Sequence, residues 1–206
     1  MKASVKIFIA SLFVFGATSN AFCAKPLKIK VSHDAFVQGG ETANQPLGAT
    51  KAARLRIGKS TGNDKYSRTT YLQFNLKKVE NFESVDLNLC VKVYKSKEDA
   101  SAKFQLQVYN CDDTKWKETS ITFNTKPEQG ELLATQSIGV TEKNEWVKIS
   151  LPADVIKKQI KKSKKGKLTL VLYNADFNKT AAEIISKERQ WTNGTPANKE
   201  AYLEFQ

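Results

Sequence analysis

The side chains with the clearest chemical use are arginines set in alternation with apolar residues. Arg54 and Arg56 flank Leu55 in an Arg-Leu-Arg-Ile-Gly run, and Arg68 opens an Arg-Thr-Thr-Tyr-Leu-Gln-Phe run. A guanidinium forks onto a carboxylate through two parallel hydrogen bonds, so three of them suit an acidic sugar chain. The competing role is structural, with one or more arginines held by an acidic partner inside the domain. Tyr71, on the polar side of its run, could stack on a sugar ring or serve as a surface cross-strand partner. Lys187 and Arg189 flank Glu188. There Glu188 could pair internally and leave both cations to a ligand, or all three could form a solvated strand end. Trp191, ahead of Asn193-Gly194, could offer a sugar platform or seal an edge of the fold. Trp116 and Trp146 are assigned to structure.

Lys157, Lys158, Lys161, Lys162, Lys164, Lys165 and Lys167 form the densest charge in the chain. Such a run reads as a solvated face, or as a second, salt-sensitive contact with a polyanion. Catalytic motifs are missing. The chain has one histidine, His33, and no Gly-x-Ser-x-Gly, His-Glu-x-x-His or P-loop signature. A β-elimination site could be assembled around Tyr71, and a glycosidase carboxylate pair depends on spatial distances that spacing does not reveal. The expectation is a non-enzyme. No cofactor is expected, although loop oxygens near Asp34 and Glu41 could hold a structural calcium ion without any EF-hand spacing.

These residues must be positioned by strands, because the dominant hydrophobic period is two. Strand-like runs occur at 29–31, 35–38, 55–57, 70–76, 87–94, 104–109, 121–123, 147–151, 168–173, 183–186 and 202–205. Gly, Asn, Pro and charged clusters separate them, which predicts a β-sandwich and excludes alternating βαβ units. Only 153–165 reads as helical, with Pro152 and Asp154 at its start and Gly166 at its end. The alternation sends Leu55, Ile57, Leu72 and Phe74 inward. It sends Arg54, Arg56 and Tyr71 outward.

Residues 1–23 read as a secretory signal peptide: Lys2 and Lys6, then an apolar stretch over 7–16, then small residues ending at Cys23. That leaves a single domain over 24–206, secreted, monomeric and without membrane insertion. The whole chain is +12, and subtracting the two signal lysines leaves +10. A surplus of this size draws polyanions, and export makes nucleic acid the least suitable of them. Cys90 and Cys111 remain after cleavage. Strand parity puts each opposite its strand's apolar face, so neighbouring antiparallel strands could bridge them; otherwise they are two half-buried thiols. Asn178-Lys179-Thr180 is a glycosylation acceptor only on a eukaryotic route.

Taken in order, the chain's landmarks resemble the DNRLRE-type domain, a group that includes carbohydrate-binding modules found beside alginate lyases and other polyuronate-degrading enzymes. The matching stretches are Asp34–Val37, Arg54–Gly58, Ser67–Leu76, Ser84–Tyr94, Val108–Pro127, Trp146–Ile156, Ile185–Trp191 and Ala201–Phe205. The resemblance implies an all-β sandwich of jelly-roll type that binds an acidic polysaccharide without cleaving it. Two departures stand out. Asn75 occupies a position where the family commonly has Asp, and no lyase or hydrolase domain lies within the sequence. The alternative expectations are a structural or adhesive matrix protein on the same scaffold and, more remotely, a small polysaccharide lyase.

Overall fold

The computed structural model describes residues 25–48, 54–60, 64–95, 103–163, 165–177, 179–190, 194 and 197–206. The signal segment, Trp191, Asn178 and Lys164 lie outside the described residues. Among the described residues, eleven strands run in chain order: β1 (Leu27–Lys30), β2 (His33–Gln38), β3 (Arg54–Gly58), β4 (Arg68–Asn75), β5 (Val85–Lys95), β6 (Phe104–Cys111), β7 (Leu132–Ile138), β8 (Glu145–Leu151), β9 (Lys167–Tyr173), β10 (Thr180–Ile185) and β11 (Tyr202–Phe205). An α-helix, α1 (Ala153–Lys162), connects β8 to β9, and a 3-10 turn lies at Gly40–Thr42.

All strand pairs are antiparallel, and together they make one curled sheet folded into two layers. The first layer runs β2-β4-β9-β6-β7. In the second, β5 pairs β8 on one side and β11 then β10 on the other, with β3 beside β10 and β1 beside β11. The layers meet where Gly58 of β3 pairs Arg68 of β4. This is a β-sandwich of jelly-roll type. Leu72, Phe74 and Leu170 of the first layer pack against Leu55, Leu87 and Ile184 of the second, all essentially buried. Alternation places them there, since every second residue of a strand faces the same side.

The helix is shorter than the sequence suggested. Asp154 sits in the first turn and Lys161 and Lys162 in the last, each complementing the helix dipole. Ile156 is buried and Ile160 packs beside the core, as the i, i+4 spacing requires. Ser163 takes an extended conformation that ends α1. Gly166 then turns at φ +60° against the Lys77 backbone, where a Cβ would crowd.

Two expectations about strands fail. Residues 121–123 form a turn, not a strand, within a long loop over 112–131 that lies across the outer side of the first layer. That loop buries Trp116 and Ile121 against Ala35, Val37, Tyr71 and Val171, making a second small core. β7 is a strand that the period-two reading missed. It is an edge strand, largely exposed, so it lacks the apolar alternation that marks a half-buried one.

Cys90 and Cys111 are free and both are buried. The bridge expected on neighbouring strands cannot form because β5 and β6 belong to different layers. Cys90 packs with Ile185 and Ala197, while Cys111 sits under the 112–131 loop. Burial pushes the Cys111 thiol up to about 11, so it stays protonated and unreactive at neutral pH.

Asp86 ties β5 to β8. Its carboxylate accepts from Ser150 Oγ at 2.7 Å and pairs with Lys148 Nζ at 2.8 Å. Burial works against the charged form, yet those two contacts hold the carboxyl below its ordinary value. The sign follows: stability from Asp86 is present above the unfolded carboxyl range near pH 4 and is lost as pH falls through the lower folded value. We therefore expect the Asp86→Asn variant to melt lower than the native chain at pH 7, with the gap closing toward pH 3. Thermal melts across that range check it.

Candidate functional site

The outward face of the second layer carries the charge. Leu55 and Ile57 of β3 point into the core, so Arg54 and Arg56 stand on the opposite side with side chains 48% and 47% exposed. Register places Glu183 of β10 directly beside Arg56 on one flank and Lys92 of β5 on the other. Arg54 Nη1 donates to Glu183 Oε2 at 2.8 Å, and Arg56 Nε lies 3.4 Å from Oε1. The Tyr94 hydroxyl donates to the same Oε2 at 2.8 Å. One carboxylate thus holds two guanidiniums and a phenol in place. Its hydrogen bond and charge raise the proton affinity of Arg54. Lys92 Nζ sits 5.1 Å over the Tyr94 ring.

Arg68 reaches the group from β4. Its Nε donates to the neutral amide oxygen of Gln38 at 2.6 Å. Burial first, and then the Arg56 charge, lower its pKa, although a guanidinium stays ionised at any physiological pH. It is a half-buried cation beside a like charge. Together Arg54, Arg56, Arg68, Tyr94 and Glu183 line a shallow groove of about 410 Å³. Three guanidiniums there face a single carboxylate, leaving a surplus of positive charge whose positions are fixed in advance.

Of the other expected contacts, Tyr71 is not on an exposed surface. It is 1% exposed beneath the 112–131 loop, and its hydroxyl donates to the Pro127 carbonyl at 2.8 Å. Outward alternation was read correctly; the covering loop was not foreseen. Burial pushes the phenol far above its ordinary value, so it cannot serve as an elimination base. Lys187 is also not turned to a ligand. Its ammonium contacts Glu188 and lies 3.1 Å from Glu118 Oε1. Arg189 is half-buried, and its backbone N–H donates to the Ser186 carbonyl at 3.2 Å; it does not join the arginine groove. Glu41 pairs with Lys65 at 3.4 Å, away from Asp34.

Trp146, assigned to structure from the sequence, is instead 48% exposed on β8. It meets Tyr202 of β11 edge-on, with ring centroids 5.4 Å apart, and Lys28 Nζ lies 4.9 Å from the Tyr202 ring. Trp146 pairs Cys90 and Tyr202 pairs Asn88, so both share the β5 face that carries Lys92 and Tyr94. Trp116 does have the structural place expected, buried with its Nε1–H donating to Thr169 Oγ1 at 3.1 Å.

A larger cavity, about 860 Å³, lies elsewhere, between the 112–131 loop and the end of α1. Lys162, Lys165 and Lys167 of the lysine run border it beside Trp116 and His33. Lys162 is engaged with Asp112 at 2.6 Å. Lysines on long stems lose more freedom on binding than guanidiniums already held by a shared carboxylate. The arginine groove is the better-organised anion site.

Residues 25–196 match the model of carbohydrate-binding module family 96. The chain belongs to that family. No curated protein matches the module's sequence. Among solved structures, it is similar to the Agl-KA catalytic domain at 9% identity and TM-score 0.36, covering 88% of the module and 27% of that chain. The CBM22-1-GH10 modules of a Clostridium thermocellum xylanase show 12% identity and TM-score 0.34, over 87% and 29% of the two chains. The CBM22-1 xylan-binding domain of Paenibacillus barcinonensis Xyn10C shows 12% identity and TM-score 0.31, over 86% and 95%. The module spans less than a third of the length of the first two.

Proposed function

We propose that the chain is an exported, non-catalytic module that binds an anionic polysaccharide of the alginate or pectate type through the arginine groove. The observation that carries this reading is the excess of fixed guanidiniums over carboxylate at Arg54, Arg56 and Arg68. A uronate placed there forms charge-assisted hydrogen bonds and offsets the repulsion that the Arg56 charge exerts on Arg68. Membership of a carbohydrate-binding family supplies the substrate class, and the DNRLRE-type motifs, with their association with alginate lyases, favour acidic glycans within it. The +10 charge left after removal of Lys2 and Lys6 from the +12 chain adds long-range attraction. Residues 1–23 support export.

The Trp146–Tyr202 pair gives the same face an apolar surface against which a pyranose ring can lie. We expect Trp146→Ala to weaken polyuronate binding about fivefold, since an aromatic contact contributes about 1 kcal/mol. Melting should stay nearly unchanged, because the ring is exposed. Paired affinity and melting measurements check this. A glycan array probed at low and moderate salt tests the functional reading. Retention on polyuronates that weakens with salt supports it, and selective retention on neutral glycans contradicts it.

A further inference from the structure

Asp34, Glu118 and Glu188 come from three segments far apart in sequence: the start of β2, the 112–131 loop and the turn after β10. One oxygen from each lies within 4.8 Å of the others. Calcium holds its oxygens at about 2.3–2.6 Å, so ligands on opposite sides of one ion stand about 5 Å apart. Asp34 is 3% exposed. Its Oδ2 accepts the Lys187 backbone N–H at 2.8 Å, but its buried Oδ1 has no hydrogen-bond partner among the described residues. A carboxylate oxygen left unpaired in the interior is costly unless a cation meets it.

The surrounding groups leave a definite charge deficit. Glu118 Oε1 accepts the Asp34 backbone N–H at 2.6 Å, with His33 Nδ1 3.7 Å away. Lys187 is the ammonium in contact with Glu118 and Glu188. With all three ionised, the one ammonium in described contact with them leaves two negative charges; without an ion, burial and the neighbouring Glu188 charge raise the Asp34 carboxyl to about 8, so that a proton stands where the cation would. We propose that Asp34, Glu118 and Glu188 form a calcium site that clips the 112–131 loop and the post-β10 turn onto β2. The Lys187 ammonium stands in for the ion's charge and swings aside when the ion enters. Three carboxylates with no thiolate favour a hard cation over zinc. The site is independent of the arginine groove and of the glycan reading.

The test compares melting of the full chain in EDTA and in excess calcium, together with terbium luminescence sensitised by Trp116, two residues from Glu118. Calcium should raise the melting temperature by about 5 °C or more. Glu188→Gln, at an exposed position, should bind terbium at least tenfold more weakly. Lys187→Met should bind it at least fivefold more tightly, because the competing charge is gone. Native protein that melts identically in EDTA and calcium, and gives no terbium signal, overturns the proposal whatever Lys187→Met does. An undiminished signal in Glu188→Gln overturns it equally.

Discussion

Replacing Arg54 and Arg56 together by glutamine is expected to lower affinity for a polyuronate by about 30- to 150-fold at low salt. A charge-assisted hydrogen bond contributes about 1.5–3 kcal/mol where it is shielded, and less where it is exposed. Both side chains are about half exposed, so roughly 1–1.5 kcal/mol each is the appropriate scale, screened by ions over a Debye length of about 10 Å. The variant also strips Glu183 of both guanidiniums, leaving it only the Tyr94 hydroxyl, and its uncompensated carboxylate then repels the ligand. Adding Glu183→Gln to the pair should therefore recover part of the loss. Salt dependence should flatten in the double variant, since fewer charges engage the chain. Affinity electrophoresis in polyuronate gels at two ionic strengths measures both effects. Affinity within twofold of the native chain would place binding elsewhere, with the lysine-lined cavity beside Trp116 the first place to look.

The largest stability effect is expected at Tyr71. The ring is buried against Ala35, Val37, Trp116 and Val171, with the Trp116 ring edge-on at a centroid distance of 6.0 Å. Removing a buried aromatic costs about 3–5 kcal/mol, and in a domain of this size each kcal/mol lowers the melting temperature by about 2–4 °C. Tyr71→Ala should thus melt about 10 °C lower. Tyr71→Phe loses only the hydrogen bond to Pro127, about 1 kcal/mol, and should bind glycan as the native protein does. A tyrosine that stacked on sugar would behave in the opposite way: the alanine variant would keep its melting temperature and lose binding. Melting curves and affinities on both variants decide the matter.

Alternation made the scaffold readable. Leu55, Ile57, Leu72 and Phe74 lie inward and Arg54 and Arg56 outward because a period of two leaves no choice once the residues are in strands. Pairing across the sheet was not readable. Glu183 meets Arg54 from 129 positions away, and nothing in either segment announces that β10 lies beside β3. Tyr94 was missed for the same reason. The disulfide expectation failed on the same ground, since β5 and β6, although consecutive in the chain, lie in different layers. Tyr71 and Trp146 exchanged roles because a covering loop decides which outward residue sees solvent, and the 112–131 loop covers one while β8 leaves the other open. Lys187 illustrates a different limit: a cation flanking an acid in sequence can be consumed by a carboxylate from a remote loop. β7 escaped notice because this edge strand buries only Ile138 fully, too little to imprint a period of two.

The most direct measurement is titration of the native module with a polyuronate and with the same polymer after its carboxylates are reduced to alcohols. Chain length, ring geometry and stacking surface are common to both, so the difference isolates the carboxylate. Affinity for the acidic polymer that exceeds the reduced one at least tenfold, and narrows toward it as salt rises, is the predicted result. Equal affinity for the two polymers would contradict the assignment of the arginine groove to anionic glycan.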